Sequence, residues 1–168
     1  MKLELKNIKR HAGLSQETHA YTATVYWENR KLCEVENAGH GGGDMQHPMA
    51  PFTYDDVRYV NALCENELPM WGSEFDPDEG DTHRTDLEMW CSDKVNQHLL
   101  AKDLKRAMNS KVLVVDPAEE GVSEYRWKGV RKIDARHIDA VRKDNPALTI
   151  LNDLPFAEAL VIYASAAA

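Results

Sequence analysis

Apolar and charged residues nearly alternate at the start of the chain. Leu3, Leu5 and Ile8 sit among Lys2, Glu4 and Lys6, which predicts a first strand, followed by a loop from Asn7 to Gln16. Residues 20–27 are dense in β-branched and aromatic side chains, among them Tyr21, Thr22, Thr24, Val25 and Trp27. Such residues fit a pleated, half-buried surface, so this is a strand. A polar turn, Glu28 to Lys31, leads into a second strand, Leu32 to Val35, and residues 20–36 read as a β-hairpin.

The period then changes from two to nearly four. Thr53 is a helix N-cap, with Asp55 and Asp56 in the first turn, where negative charge suits the helix dipole. Val57, Val60, Leu63 and Cys64 give the helical face, and Leu68-Pro69 ends it. Residues 69–83 form a loop with two prolines and two glycines. Thr85-Asp86-Leu87-Glu88 fits a capping box. From there Leu87, Trp90, Cys91, Val95, His98 and Leu99 trace one face of a helix that runs to about Met108, with a break near Leu100 to Asp103.

A short apolar strand, Lys111 to Val115, a turn over Asp116 to Gly121 and a returning strand, Val122 to Lys128, come next. Asp134 caps a helix that buries Ile138 and Val141 and stops at Asn145-Pro146. Leu148 to Leu151 is a last strand, and Pro155 opens a final helix, Phe156 to Ala164. Strands and helices are partly segregated. The expected class is α+β, a single domain over residues 1–168, with an N-terminal antiparallel hairpin or small sheet packed with about four helices.

Composition narrows the setting. Cys33, Cys64 and Cys91 are odd in number and contain no C-x-x-C pair, so no disulfide framework is expected and a reducing compartment is favoured. The N-terminus has no apolar core of the kind a signal peptide needs. The longest apolar run, Ala159 to Ala168, is about half of the roughly 20 residues that span a bilayer. The expected protein is soluble and cytoplasmic, with no membrane association. Its net charge of −8 is uneven: residues 53–93 carry twelve acids against Arg58 and Arg84. That balance argues against nucleic acid as a partner.

The residues furthest from ordinary helix, strand or loop are 37–48, Asn-Ala-Gly-His-Gly-Gly-Gly-Asp-Met-Gln-His-Pro, which hold four of the nine glycines and two of the seven histidines. Glycines let a ligand approach the main chain, and successive backbone N–H groups can form a nest for an anion. His40, Gly41, Gly42, Gly43, Asp44 and His47 are therefore the candidate ligand-binding residues. The stretch is neither a P-loop nor a dinucleotide fingerprint, since no Lys follows and the glycine register is wrong. A second reading takes His40, Asp44 and His47 as metal ligands of a phosphoesterase-like hydrolase. A third takes the loop as a plain turn in an interaction module. No catalytic set is assigned, no cofactor is indicated, and the sequence leaves open whether the protein is an enzyme.

Other candidates fall to plainer readings. Cys64 and Cys91 lie on apolar helical faces as core thiols. Asp76-Pro77-Asp78-Glu79-Gly80-Asp81 fails the EF-hand loop because Gly and Asp are reversed at its fifth and sixth positions. Arg126-Trp127-Lys128 fits a strand with Trp127 inward better than a stacking platform for nucleic acid.

Gly39-His40-Gly41-Gly42 with His47-Pro48, then Thr85 to Glu88, Ala101 to Arg106, Ile150-Leu151-Asn152 and Leu154-Pro155-Phe156, resemble segments of uncharacterised small proteins of bacterial, prophage and phage origin. The resemblance implies no activity, cofactor or catalytic residue. It implies a phage context, in which small accessory proteins bind a host component and some neutralise host defence. Taken with the glycine-rich stretch, the expectation is a binding protein that engages a host protein or a small anionic, nucleotide-like ligand through residues 39–47.

Overall fold

The computed structural model of the chain describes residues 1–68, 84–116, 118 and 121–166. The expected loop over 69–83, with its acidic stretch, lies outside the described residues, as do Pro117, Glu119 and Glu120 of the expected turn. The fold is α+β. It has a four-stranded antiparallel sheet, a three-stranded antiparallel sheet and, among the described residues, four α-helices. Two compact units divide the chain, Met1–Asn96 and Gln97–Ala168.

In the first unit the strands β1 (Leu3–Arg10), β2 (Tyr21–Trp27), β3 (Arg30–Asn37) and β4 (Met45–Pro48) lie in sequence order. β1 runs past the predicted loop start. Pairing shifts between Lys6 and Lys9, where Asn7 takes φ 57°, and then resumes with Arg10 opposite Tyr21. Asparagine tolerates that left-handed backbone, so Asn7 marks a bulge instead of a strand end. The β2–β3 hairpin turns on Glu28 and Asn29, both left-handed at φ 47° and 66°, the backbone of a tight hairpin turn.

On β2 and β3, Tyr21, Ala23, Val25, Cys33, Val35 and Asn37 are buried. Helix α1 (Tyr54–Glu67) buries Val57, Val60 and Cys64 and contacts β3 and β4. Its start is the predicted one. Thr53 accepts from the Asp56 N–H, and the Asp56 carboxylate accepts from the Thr53 N–H at 2.7 Å, a reciprocal capping box.

Helix α2 (Leu87–Ser110) differs from expectation at its start. Asp86, and not Thr85, is the cap: its carboxylate accepts the Met89 N–H at 2.7 Å. The Leu87 N–H donates to the Asn61 side chain on α1 at 3.0 Å. Glu88 is thereby free of any capping duty. The helix is continuous through residues 100–103, and Leu87, Trp90, Cys91, Val95 and Leu99 are buried while His98 is exposed.

The second unit contains the rest of α2 with β5 (Val112–Val115), β6 (Ser123–Tyr125), α3 (Ala135–Asp144), β7 (Thr149–Ile150) and α4 (Phe156–Ser165). β5 is central, between β6 and β7. Its residues alternate between two apolar clusters: Leu113 packs with Leu104, Leu151 and Ala159, and Val112 and Val114 with Val141 and Ile150. β6 is shorter than the expected strand and ends at Tyr125, yet beyond it Trp127 still packs against the second cluster while Arg126 and Lys128 are exposed. Among the described residues no helix is long and apolar enough to cross a membrane.

Candidate functional site

The glycine-rich stretch leaves β3 at Asn37, turns through residues 38–44, and returns as β4. β4 is absent from the sequence expectation. Met45-Gln46-His47-Pro48 has no β-branched residue, and its strand state comes from pairing with β3, with His47 opposite Glu34.

Two features hold the turn. Asn37, 7% exposed, makes four hydrogen bonds. Its Oδ1 accepts from the Gly39 N–H at 2.8 Å and the Thr18 hydroxyl at 3.0 Å, and its Nδ2 donates to the Gly42 carbonyl at 3.1 Å and Asp44 Oδ1 at 2.9 Å. Gly39 is the second feature. Its φ is +82°, and a Cβ there would lie 2.6 Å from the Leu14 carbonyl oxygen. Its own carbonyl accepts the N–H groups of Gln16 and Glu17 at 2.9 and 3.1 Å. The turn is thus tied to the β1–β2 connection, and only glycine permits the approach.

Beside it lies a cavity of about 560 Å³. Gly41, Gly42 and Gly43 line one wall. Arg10 and the polar residues Gln16, Glu17, Thr18 and His19 bring the end of β1 and the connection that follows it. Glu88 and Ser92 come from the first turns of α2. This volume is within the range of about 300–1,000 Å³ typical of small-molecule sites.

Carboxylates dominate the loop's electrostatics. Asp44 accepts a short hydrogen bond from the buried Tyr21 hydroxyl and the bond from Asn37. Burial nevertheless pushes its carboxyl above the usual range, and the nearby Asp86 charge adds to this. Glu88 accepts the Asp44 backbone N–H, and burial, with the charges of Asp44 and Asp86, raises its carboxyl also. Its two oxygens would stand 3.0 Å from a Cβ at Gly43. Glu17 packs on Gly41. The expected nest for an external anion is therefore bordered by the protein's own carboxylates. Burial, and then the Arg10 charge, lower the basicity of His19, which lines the same cavity.

The six expected site residues separate. Gly41, Gly42 and Gly43 line the cavity, and Asp44 supports its wall. His40 is exposed and does not line this cavity. His47 lines a different hollow on the sheet, with Lys9, Thr22 and Glu34. The chain between the two histidines becomes β4, which carries His47 along the sheet to the second hollow. Among the described residues no group of three or more His, Cys, Asp or Glu side chains could hold a metal ion, so the His40–Asp44–His47 set is not assembled. All three cysteines are buried and free. Burial pushes the Cys33 and Cys64 thiols up to about 12 and raises Cys91 well above its ordinary value, which disfavours the thiolate a nucleophile needs.

Arg10, Glu17, Thr18, Asn37 and Ser92 are site residues absent from the sequence expectation. Their local pattern is that of strand ends, loop and helix surface, and only the tertiary fold gathers them. Glu88 carried a signal, but it pointed to a cap. No protein family, curated protein or solved structure matches this chain.

Proposed function

We propose that this is a small binding protein whose ligand site is the cavity walled by Gly41, Gly42 and Gly43. The observation that carries the reading is the pairing of a cavity of about 560 Å³ with a loop that Asn37 and Gly39 hold in place. A concave, largely preformed site with a few fixed hydrogen-bonding groups is what small-molecule recognition uses. The buried, protonated thiols supply no nucleophile, which favours binding over covalent chemistry.

The resemblance to phage and prophage proteins extends the proposal to a host molecule as ligand, with neutralised defence as the consequence. Asp44, Glu88 and Glu17 weigh against a wholly anionic ligand such as a nucleotide at the loop, because each phosphate entering there meets like charge. A polar ligand with a cationic group fits better.

A plug tests this. Gly42 lines the cavity and a Cβ there meets nothing within 4 Å, so the wall accepts a bulky side chain and Gly42→Trp serves as the plug. Fractionated small-molecule extract from bacterial cells should raise the thermal midpoint of the wild-type protein and leave the Gly42→Trp protein unchanged. Equal shifts in both proteins, or no stabilising fraction, would remove the cavity as the site and favour the interaction module.

A further inference from the structure

Oppositely charged side chains line this one cavity and do not neutralise each other. Arg10 faces it from the end of β1 and makes no ion pair with any carboxylate among the described residues. Glu17 and Glu88 line it on the glycine side, and neither carboxylate meets a Lys or Arg among the described residues. Thr18 and His19 line the same cavity, and the Arg10 charge helps to lower the basicity of His19.

Unpaired charges of both signs in one concave wall match a ligand that carries both signs itself. A purely anionic ligand would satisfy Arg10 and be repelled by Glu17, Glu88 and the Asp44 behind them. A purely cationic ligand would do the reverse. Two carboxylates and one guanidinium are complemented by two cationic groups and one carboxylate. We infer that the cavity takes a zwitterionic amine of the basic amino-acid type, its cationic groups at Glu17 and Glu88 and its carboxylate at Arg10. Arginine guanidinium suits a carboxylate because it can donate two parallel hydrogen bonds. Ser92 on α2 adds a neutral hydroxyl to the same lining. This inference rests on the cavity being the ligand site.

L-Arginine and agmatine differ by one carboxylate, and this pair is the probe, with succinate as the wholly anionic control. Amide resonances of Gly41, Gly42, Gly43 and Ser92 would be followed by NMR during titration. The expected result is saturable shifts with L-arginine at an affinity about tenfold or more tighter than agmatine, the worth of one charge-assisted hydrogen-bonded pair. Arg10→Gln should bring L-arginine down to the agmatine level and leave agmatine no weaker. Glu88→Gln should weaken both, and succinate should bind to neither end.

Agmatine binding as tightly as L-arginine, succinate binding alone, or an Arg10→Gln protein that still discriminates would each overturn the dipolar ligand. So would a set of probes that moves no cavity resonance. The cavity reading fails separately, if the Gly42→Trp plug leaves extract stabilisation intact, so the two failures are distinguishable.

Discussion

Asn37 and Asn152 do the same job in the two units and to different ends. Each is a side-chain amide that gathers backbone which neither helix nor sheet would satisfy. Asn152 accepts the Leu113 N–H at 2.7 Å and donates to the Met108 and Lys111 carbonyls at 3.0 Å each. Every partner is main chain, and the Met108 carbonyl is one of those the C-terminus of α2 leaves over. Asn37 binds two main-chain groups and two side chains, Thr18, which lines the cavity, and Asp44, which supports its wall. The first arrangement joins a helix end to a strand. The second shapes a loop around open volume. A buried asparagine becomes part of a site when its partners are themselves side chains with chemistry to offer.

Asn152→Ala is the sharpest way to break that comparison. It orphans one N–H and two carbonyls, and stability should fall by about 3 kcal/mol, since each stranded buried group costs about 1–3 kcal/mol less whatever water recovers. Denaturant unfolding reads the loss. Asn37→Ala should cost a comparable amount and also speed amide exchange across Gly39–Asp44. If Asn37→Ala left loop exchange unchanged, the loop would be held by something other than this side chain.

Much of the fold was legible because its elements are locally specified. Thr53, Asp134 and Asn145 are helix boundaries that one side chain decides, and all three stand where the pattern puts them. The β2–β3 hairpin follows from Thr, Val, Tyr and Trp content. Three features were not legible, for one physical reason. β4, the continuation of β1 through Asn7 and the choice of Asp86 over Thr85 as cap are all settled by groups distant in the chain. β4 exists because β3 offers an edge. Thr85 is buried, which leaves Asp86 to accept the Met89 N–H.

Part of the cavity's lining was legible: glycine density pointed to the loop whose Gly41, Gly42 and Gly43 line it, but the loop's surroundings change its meaning. Glycine is needed at residue 39 for a close backbone approach, and the amides expected to cradle an anion lie beside Glu88 and Glu17. His40 and His47 are close in sequence, but a strand begins between them and carries His47 along the sheet.

Glycine substitutions sharpen the comparison at the next scale. Gly39→Ala combines a left-handed φ with a backbone clash and should cost about 2 kcal/mol. Gly43→Ala meets only the end of the Glu88 side chain, which can move, so stability should change by less than about 1 kcal/mol while binding in the cavity weakens. Gly42→Ala should be neutral in stability. Thermal unfolding of the three proteins ranks them, and a Gly43→Ala loss as large as that of Gly39→Ala would mean Glu88 is held rigidly.

The smallest expected effect is in pH, and there the two units should differ in sign. In the second unit Asp134, held by Arg136 and then His137, has its carboxyl lowered to about 2. Its contribution is present above the ordinary value of 3.8 and is lost as pH falls toward 2. Asp44 and Glu88 are shifted upward by burial, so the folded state takes up their protons before the unfolded chain does. Their contribution is fully present below the ordinary values of 3.8 and 4.5, and is lost as pH rises through the raised folded values. Carboxyl NMR titration should place Asp44 and Glu88 above those ordinary values and Asp134 below its own. Glu88→Gln should flatten the stability profile on the acid side of neutrality, and Asp134→Asn should flatten it only at lower pH. If Glu88→Gln left the profile unchanged, the carboxylates at the glycine loop would be solvated like any surface pair, and the contrast between a loop that stores unfavourable charge and a helix cap that uses favourable charge would fail.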